Sequence, residues 1–186
     1  MRALAVAVAA STVVLSGCAV SLQPFYTPAT ILDDRSIEGR WAEDSSVWQV
    51  TRTGPGRFDV ATCEPEVAEP CKPETVGVLF RTGGVTFLDF QEKSESQFSS
   101  TLRPHGLFRV ERNGAGFDLT VLDADGLTKL ARDARLDAEF AELEAGVMLT
   151  GKPEEMQSFA LRHLSDPQVF GEPHHLERAP AVSESR

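Results

Sequence analysis

Positive charge is scarce in this sequence: 18 Lys and Arg stand against 28 Asp and Glu, a formal net charge of −10. Such a surface is repelled by a phosphate backbone, so nucleic acid is not expected as a partner. Histidine is limited to four residues and cysteine to three, with no CxxC pair, so no zinc-type ligand spacing is present. Phosphate-cradling glycine loops and nucleophile-elbow motifs are missing as well. Gly54, Gly83, Gly114 and Gly116 instead fall between apolar runs, where hairpins need turns. Long hydrophobic runs are confined to one place. Ala3 to Leu15 is apolar apart from Ser11 and Thr12, and it is too short to cross a bilayer core as a mature helix.

What is present begins with that run. Met1-Arg2 supplies a short positive start, and the apolar stretch has the length of a signal-peptide h-region. It ends in Leu15-Ser16-Gly17-Cys18, which resembles the lipobox of bacterial lipoprotein precursors. The resemblance implies cleavage between Gly17 and Cys18. It also implies a diacylglyceryl group on the Cys18 thiol and a further acyl chain, such as palmitate, on its nitrogen. Two or more chains anchor a protein stably where one binds only marginally. An ordinary secretory peptide cut nearby would instead leave Cys18 as a free thiol. The expected division is residues 1–17 as signal peptide, 18–37 as lipid-anchored tether, 38–178 as one β-rich domain and 179–186 as a frayed tail. Removing the signal removes only Arg2, so the charge moves from −10 to −11. Ala19 follows the cysteine, and by resemblance to the sorting rule of enteric bacteria this implies the outer membrane, facing the periplasm.

With Cys18 assigned to lipid, Cys63 and Cys71 remain, and an oxidising compartment favours their pairing. The segment between them is polar and holds Pro65 and Pro70, so it reads as a loop. Closing it contributes about 2–3 kcal/mol in the chain-entropy model. The alternative is a metal-binding or redox pair, for which neither a CxxC spacing nor a nearby histidine speaks.

From Gly39 onward the signals are those of antiparallel β-structure. Trp41 opens the first run. Ser46 to Thr53 and Arg57 to Cys63 flank Gly54-Pro55-Gly56; Thr75 to Arg81 and Val85 to Phe90 flank Thr82-Gly83-Gly84. Leu107 to Arg112 and Phe117 to Leu122 form a third hairpin, and Leu136 to Glu144 with Val147 to Thr150 a fourth around Ala145-Gly146. The expected fold is therefore mainly β: an up-and-down meander of about eight strands, forming a barrel or a strongly curved sheet. Two helices interrupt it. Leu127, Leu130, Ala131 and Ala134 recur at helical spacing after Asp123 and Asp125, and Met156, Phe159, Ala160, His163 and Leu164 follow Pro153-Glu154-Glu155. In 18–37, Pro24 and Pro28 resist helix. Leu22, Phe25, Tyr26, Ile31 and Leu32 are too apolar for a free linker, so its second half is expected to pack on the domain.

Gly39-Arg40-Trp41, opening the meander, is similar to the GxW motif of lipocalins, in which the tryptophan closes the barrel floor. A TDY-type second motif is absent, and the arginine that covers the tryptophan in that family is not identifiable in the sequence. The chain also resembles a family of uncharacterised bacterial lipoproteins. The shared features are Leu22-Gln23-Pro24-Phe25-Tyr26, Gly39-Arg40-Trp41, the helix Glu154 to Leu164 and Phe170-Gly171-Glu172-Pro173. That family implies the anchor and a single domain, and no activity.

Other constellations have plainer readings. Asp123-Ala124-Asp125-Gly126 lacks the further ligands of a calcium loop and suits helix capping. His174-His175 and His163 lack the converging partners of a metal site. Ser94, Ser96, Ser99 and Ser100 lie near His105 in sequence, in a polar loop without a nucleophile-elbow motif. No catalytic residue, metal or cofactor is therefore expected. Trp41, Trp48, Phe58, Phe80, Phe87, Phe108 and Phe117 occupy strand positions and are expected to form the barrel floor and either a packed core or a ligand cavity. The functional expectation is a non-enzymatic envelope lipoprotein. It would bind a small apolar ligand or another envelope component, or serve as a structural or protein-interaction module with a filled core; a hydrolase is the last alternative.

Overall fold

The computed structural model describes residues 18–65, 71–93, 103–144 and 146–180. In chain order the elements are β1 (Val20–Ser21), a 3₁₀ turn (Arg35–Ile37), β2 (Gly39–Glu43), β3 (Ser46–Gly54), β4 (Arg57–Cys63), β5 (Thr75–Thr82) and β6 (Val85–Glu92). There follow β7 (His105–Asn113), β8 (Gly116–Leu122), α1 (Ala124–Arg132), β9 (Phe140–Leu143), β10 (Gly146–Leu149), α2 (Pro153–Arg162) and β11 (Phe170–Arg178). Each of the first three expected hairpins is found, within two residues of its expected ends. Gly83 and Gly84, both at positive φ, make the two-residue turn between β5 and β6.

The antiparallel ladder runs from β2 through β8, passes to β11 and returns to β2. Eight strands thus close a barrel, and every strand edge within the ring is paired. The fourth hairpin forms as β9 and β10 but stands outside the ring. There β10 pairs in parallel with β1, and β1 pairs with the start of β7. Its expected place in the barrel belongs to β11. That strand shows no apolar alternation, because only Phe170 and Leu176 are buried along it. It also contains Pro173, next to a register irregularity against β8, the kind of site where a sheet tolerates proline.

Strand alternation divides the buried side chains into two cores. Leu79, Leu88, Phe108 and Val110 point into the barrel with Phe58, Val60 and Phe117. Their chain neighbours Phe80, Phe87 and Leu107 point outward, into a second core with Leu127 and Leu130 of α1 and Met156 and Phe159 of α2. Asp123 caps α1 by accepting the Asp125 N–H, and Pro153 occupies the first turn of α2.

The segment before the barrel is built into this second core from its first residues. Ala19 and Phe25 are fully buried there, so packing is not limited to the second half of 18–37. Ala19 N–H donates to Leu122 C=O at 2.7 Å and Leu22 N–H to Leu149 C=O at 2.9 Å. The chain then runs beside β5, where Arg81 N–H donates to Thr30 C=O and Leu32 N–H to Leu79 C=O. Ile37, in the 3₁₀ turn, packs on the barrel interior. Cys63 and Cys71 form a disulfide with Cα atoms 6.0 Å apart, tying the end of β4 to the segment that leads into β5. The Ser94–Ser100 loop, the Ala145 turn position and the 181–186 tail lie outside the described residues.

Candidate functional site: the barrel interior and its floor

The floor is built around Trp41. Its indole N–H donates to Ile37 C=O at 2.8 Å, and its ring meets Phe117 edge-on at 4.7 Å. Over the other side lies a residue that the sequence did not reveal. The Arg178 guanidinium sits 4.5 Å from the Trp41 ring and donates to Glu38 C=O at 3.1 Å. Gly39, at φ +134°, adopts a backbone conformation that side-chain-bearing residues rarely take, and a Cβ there would also have to displace the Arg178 guanidinium. Tryptophan, glycine and arginine together fit a lipocalin-like floor. The signal that could have found Arg178 is its place in the last strand, which could be read only once β11 was recognised as a strand.

Above the floor the interior is aromatic and aliphatic. Phe58 and Phe117 are buried; Phe108 stacks on Phe90 at 4.6 Å and meets the half-buried Trp48 at 6.1 Å. Gly106 leaves the room that the Phe90 ring occupies, since a Cβ there would lie 2.2 Å from it. A pocket of about 30 Å³ within the interior is lined only by apolar residues, among them Ile37, Trp41, Val50 and Leu119. Of the seven aromatic candidates, Trp41, Trp48, Phe58, Phe108 and Phe117 belong to this interior. Phe80 and Phe87 do not. They stack on each other at 5.4 Å in the outer core. Leu79-Phe80 and Phe87-Leu88 are adjacent apolar pairs, and neighbours on a strand face opposite ways, so both faces of β5 and β6 are covered.

The buried polar chemistry lies on the outer wall. Asp89, 2 % exposed, accepts hydrogen bonds from Phe25 N–H and His105 Nδ1–H, both at 2.8 Å. Burial raises its pKa, against the opposing pull of His105 and the Phe25 amide. The other ring nitrogen of His105 faces the Gln91 amide at 3.2 Å. The Asp89–His105 pair fastens the first segment to β6 and β7, and Gln157 Nε2 adds a bond to Phe25 C=O at 2.8 Å.

Each of the remaining histidines also meets a carboxylate. His163 pairs with Asp137 at 2.8 Å, His174 with Glu43 at 2.7 Å and His175 with Asp118 at 2.6 Å. The last two tie β11 to its two neighbours across the closing seam. Among the described residues no group of three potential metal ligands is gathered. A surface groove of about 580 Å³ between 136–139 and α2 carries Asp137, Glu139, Glu154 and Glu155, with Arg162 bridged to Asp137. At the other end of the described chain, the Cys18 backbone pairs with Asp123, and its half-buried thiol packs against the barrel interior cluster. Burial first, and then the Asp123 charge, push its pKa up to about 11.

No family model matches the chain, and neither does any curated protein or solved structure. The closed barrel is a fold compatible with ligand binding.

Proposed function

We propose that this protein is a bacterial envelope lipoprotein, anchored by lipid on Cys18 and working by binding rather than by catalysis. The lipobox Leu15-Ser16-Gly17-Cys18 behind an h-region supports the anchor, and Ala19 supports the periplasmic face of the outer membrane. One observation carries the choice between binding modes: the apolar pocket inside the barrel, among the described residues, is about 30 Å³. Pockets for ligands of ordinary size measure ~300–1,000 Å³. A filled interior favours a module that binds another envelope component through its outer surface. The reading as a carrier of a small apolar ligand keeps one specific support, the wholly apolar lining with the half-buried Trp48 beside it.

Intact mass of the membrane-fraction protein, compared with Cys18→Ala, tests the anchor. The expected wild-type mass begins at Cys18 and includes acyl chains; an unprocessed or unacylated mass sinks the proposal. Titration of the purified protein with a fatty acid, followed by tryptophan fluorescence, tests the binding mode. No saturable change is expected. Saturable quenching at one ligand per chain would put the carrier reading first.

A further inference from the structure

β9 differs from every other strand described. The ring strands pair on both sides, β1 lies between β7 and β10, and β10 between β1 and β9. β9 pairs with β10 alone, so its other side carries the one wholly unpaired strand edge among the described residues. The polarity of that edge follows residue by residue. Thr150 N–H donates to Glu139 C=O at 2.9 Å, so the backbone groups of Glu139 point towards β10. Along an antiparallel ladder the pointing alternates. Ala141 and Leu143 therefore also face β10, whereas the N–H and C=O groups of Phe140 and Glu142 point outward, with no described strand to meet them.

An open edge is a template for an extended chain, and short or charged edge strands are the usual protection against unwanted pairing. β9 is short and carries Glu142, but its surroundings select as well as protect. Glu139, the residue before β9, lines the groove of about 580 Å³ beside α2. That groove sets Asp137, Glu139, Glu154 and Glu155 against the single guanidinium of Arg162, which Asp137 already engages. The exposed carboxylates of Glu139, Glu142 and Glu154 have no ion-pair partner among the described residues. Two copies paired edge to edge would bring these charges together, and like charges across a strand pair are unfavourable. A strand bearing lysine or arginine is favoured for the same reason.

Resting on the reading above as a module that binds another envelope component, we infer that the Phe140–Leu143 edge takes an extended, basic segment of that partner as an added strand. Backbone bonds to Phe140 and Glu142 hold the segment. Its basic side chains meet Glu142 and, where the segment passes into the groove, Glu139 and Glu154.

The test titrates the full-length chain, purified from membranes in detergent, with a blocked peptide of alternating lysine and valine. Saturable binding is expected, with hydrogen exchange slowed more at the Phe140 and Glu142 amides than at Ala141 and Leu143. Glu142→Pro removes an outward N–H while sparing the β10 ladder, and should weaken binding about tenfold. Glu142→Lys keeps that donor and should turn the preference towards a glutamate–valine peptide. Gly151→Leu fills the groove from a position where a Cβ would lie 3.4 Å or more from its neighbours, and should weaken binding by a smaller factor. Absence of saturable binding, or equal binding of the glutamate–valine peptide by the unaltered chain, would overturn the inference. Binding that survives both Glu142 variants keeps the module reading and removes this edge from it. Self-association in sedimentation that Glu142→Pro abolishes would put a second copy on the edge instead. The fatty-acid titration separates the two failures, because saturable quenching there removes the module reading itself.

Discussion

The barrel interior and the outer core bury similar side chains by different means. The interior is supplied by strands that follow one another in the chain, so most of its contacts join the two halves of a hairpin or adjacent hairpins. The outer core collects Ala19 and Phe25, the outward residues of β5 to β7, and both helices, which are far apart in sequence. Its polar fastenings are similarly distant: Asp89 to Phe25, Gln157 to Phe25, and Arg109 to Leu164 C=O. The lesson is that a small barrel packs its inside locally, whereas what wraps it must be gathered from the whole chain.

The largest effects should come from cutting one phenylalanine in each core. Phe58→Ala and Phe159→Ala, at residues 0 % and 1 % exposed, should each cost about 3–5 kcal/mol in urea unfolding. They should then diverge. Phe58→Ala enlarges an apolar space enclosed by the barrel and should gain binding of a small aromatic hydrocarbon, read by calorimetry. Phe159→Ala should gain none. Binding by both variants would erase the distinction between an enclosed and a wrapped core.

Next comes the fastening between them. Asp89→Ala removes the acceptor of the Phe25 and His105 bonds and should cost about 2–3 kcal/mol. Hydrogen exchange at the Phe25 amide should rise well above that at Trp41. Equal acceleration at both sites would mean that the first segment and the barrel open as one unit.

A smaller loss is expected at the floor. Arg178→Ala should cost about 1 kcal/mol and alter the near-ultraviolet dichroism of Trp41, while the outer core keeps its exchange protection.

The smallest effect is a pH dependence at the seam. Hydrogen bonding to Asp118 raises the His175 pKa from 6.5, and the same bond lowers the Asp118 pKa from 3.8. The pair therefore stabilises the fold between roughly pH 4 and 6.5. The His175 part is lost as pH rises through its raised folded value, and the Asp118 part as pH falls through its lowered one. Replacing His175 with Ala should flatten the melting temperature above pH 6.5 slightly. An unchanged slope would assign the pair no part in holding the seam.

Much of the architecture was legible because it is periodic. Three hairpins, both helices and the Asp123 cap announce themselves through alternation, helical spacing and turn glycines, all short-range properties. Trp41, Phe58, Phe108 and Phe117 could be assigned inward for the same reason. β11 escaped because its buried residues are six positions apart and a proline lies between them. Arg178 escaped with it, since a guanidinium over an indole has no signature until the two strands are neighbours.

Residue types and their order by themselves determined an acidic chain rich in antiparallel hairpins, with two cysteines placed to pair and a Leu15-Ser16-Gly17-Cys18 stretch that resembles a lipobox. Only the tertiary structure decided that β11 rather than the β9–β10 hairpin closes the ring. It alone placed Phe80 and Phe87 outside, left an apolar pocket of about 30 Å³ within, and built Ala19 into the outer core. The physical reason is reach. Alternation and turn chemistry act over a few residues, whereas ring closure and the choice of inner face depend on which distant surfaces are left to be covered.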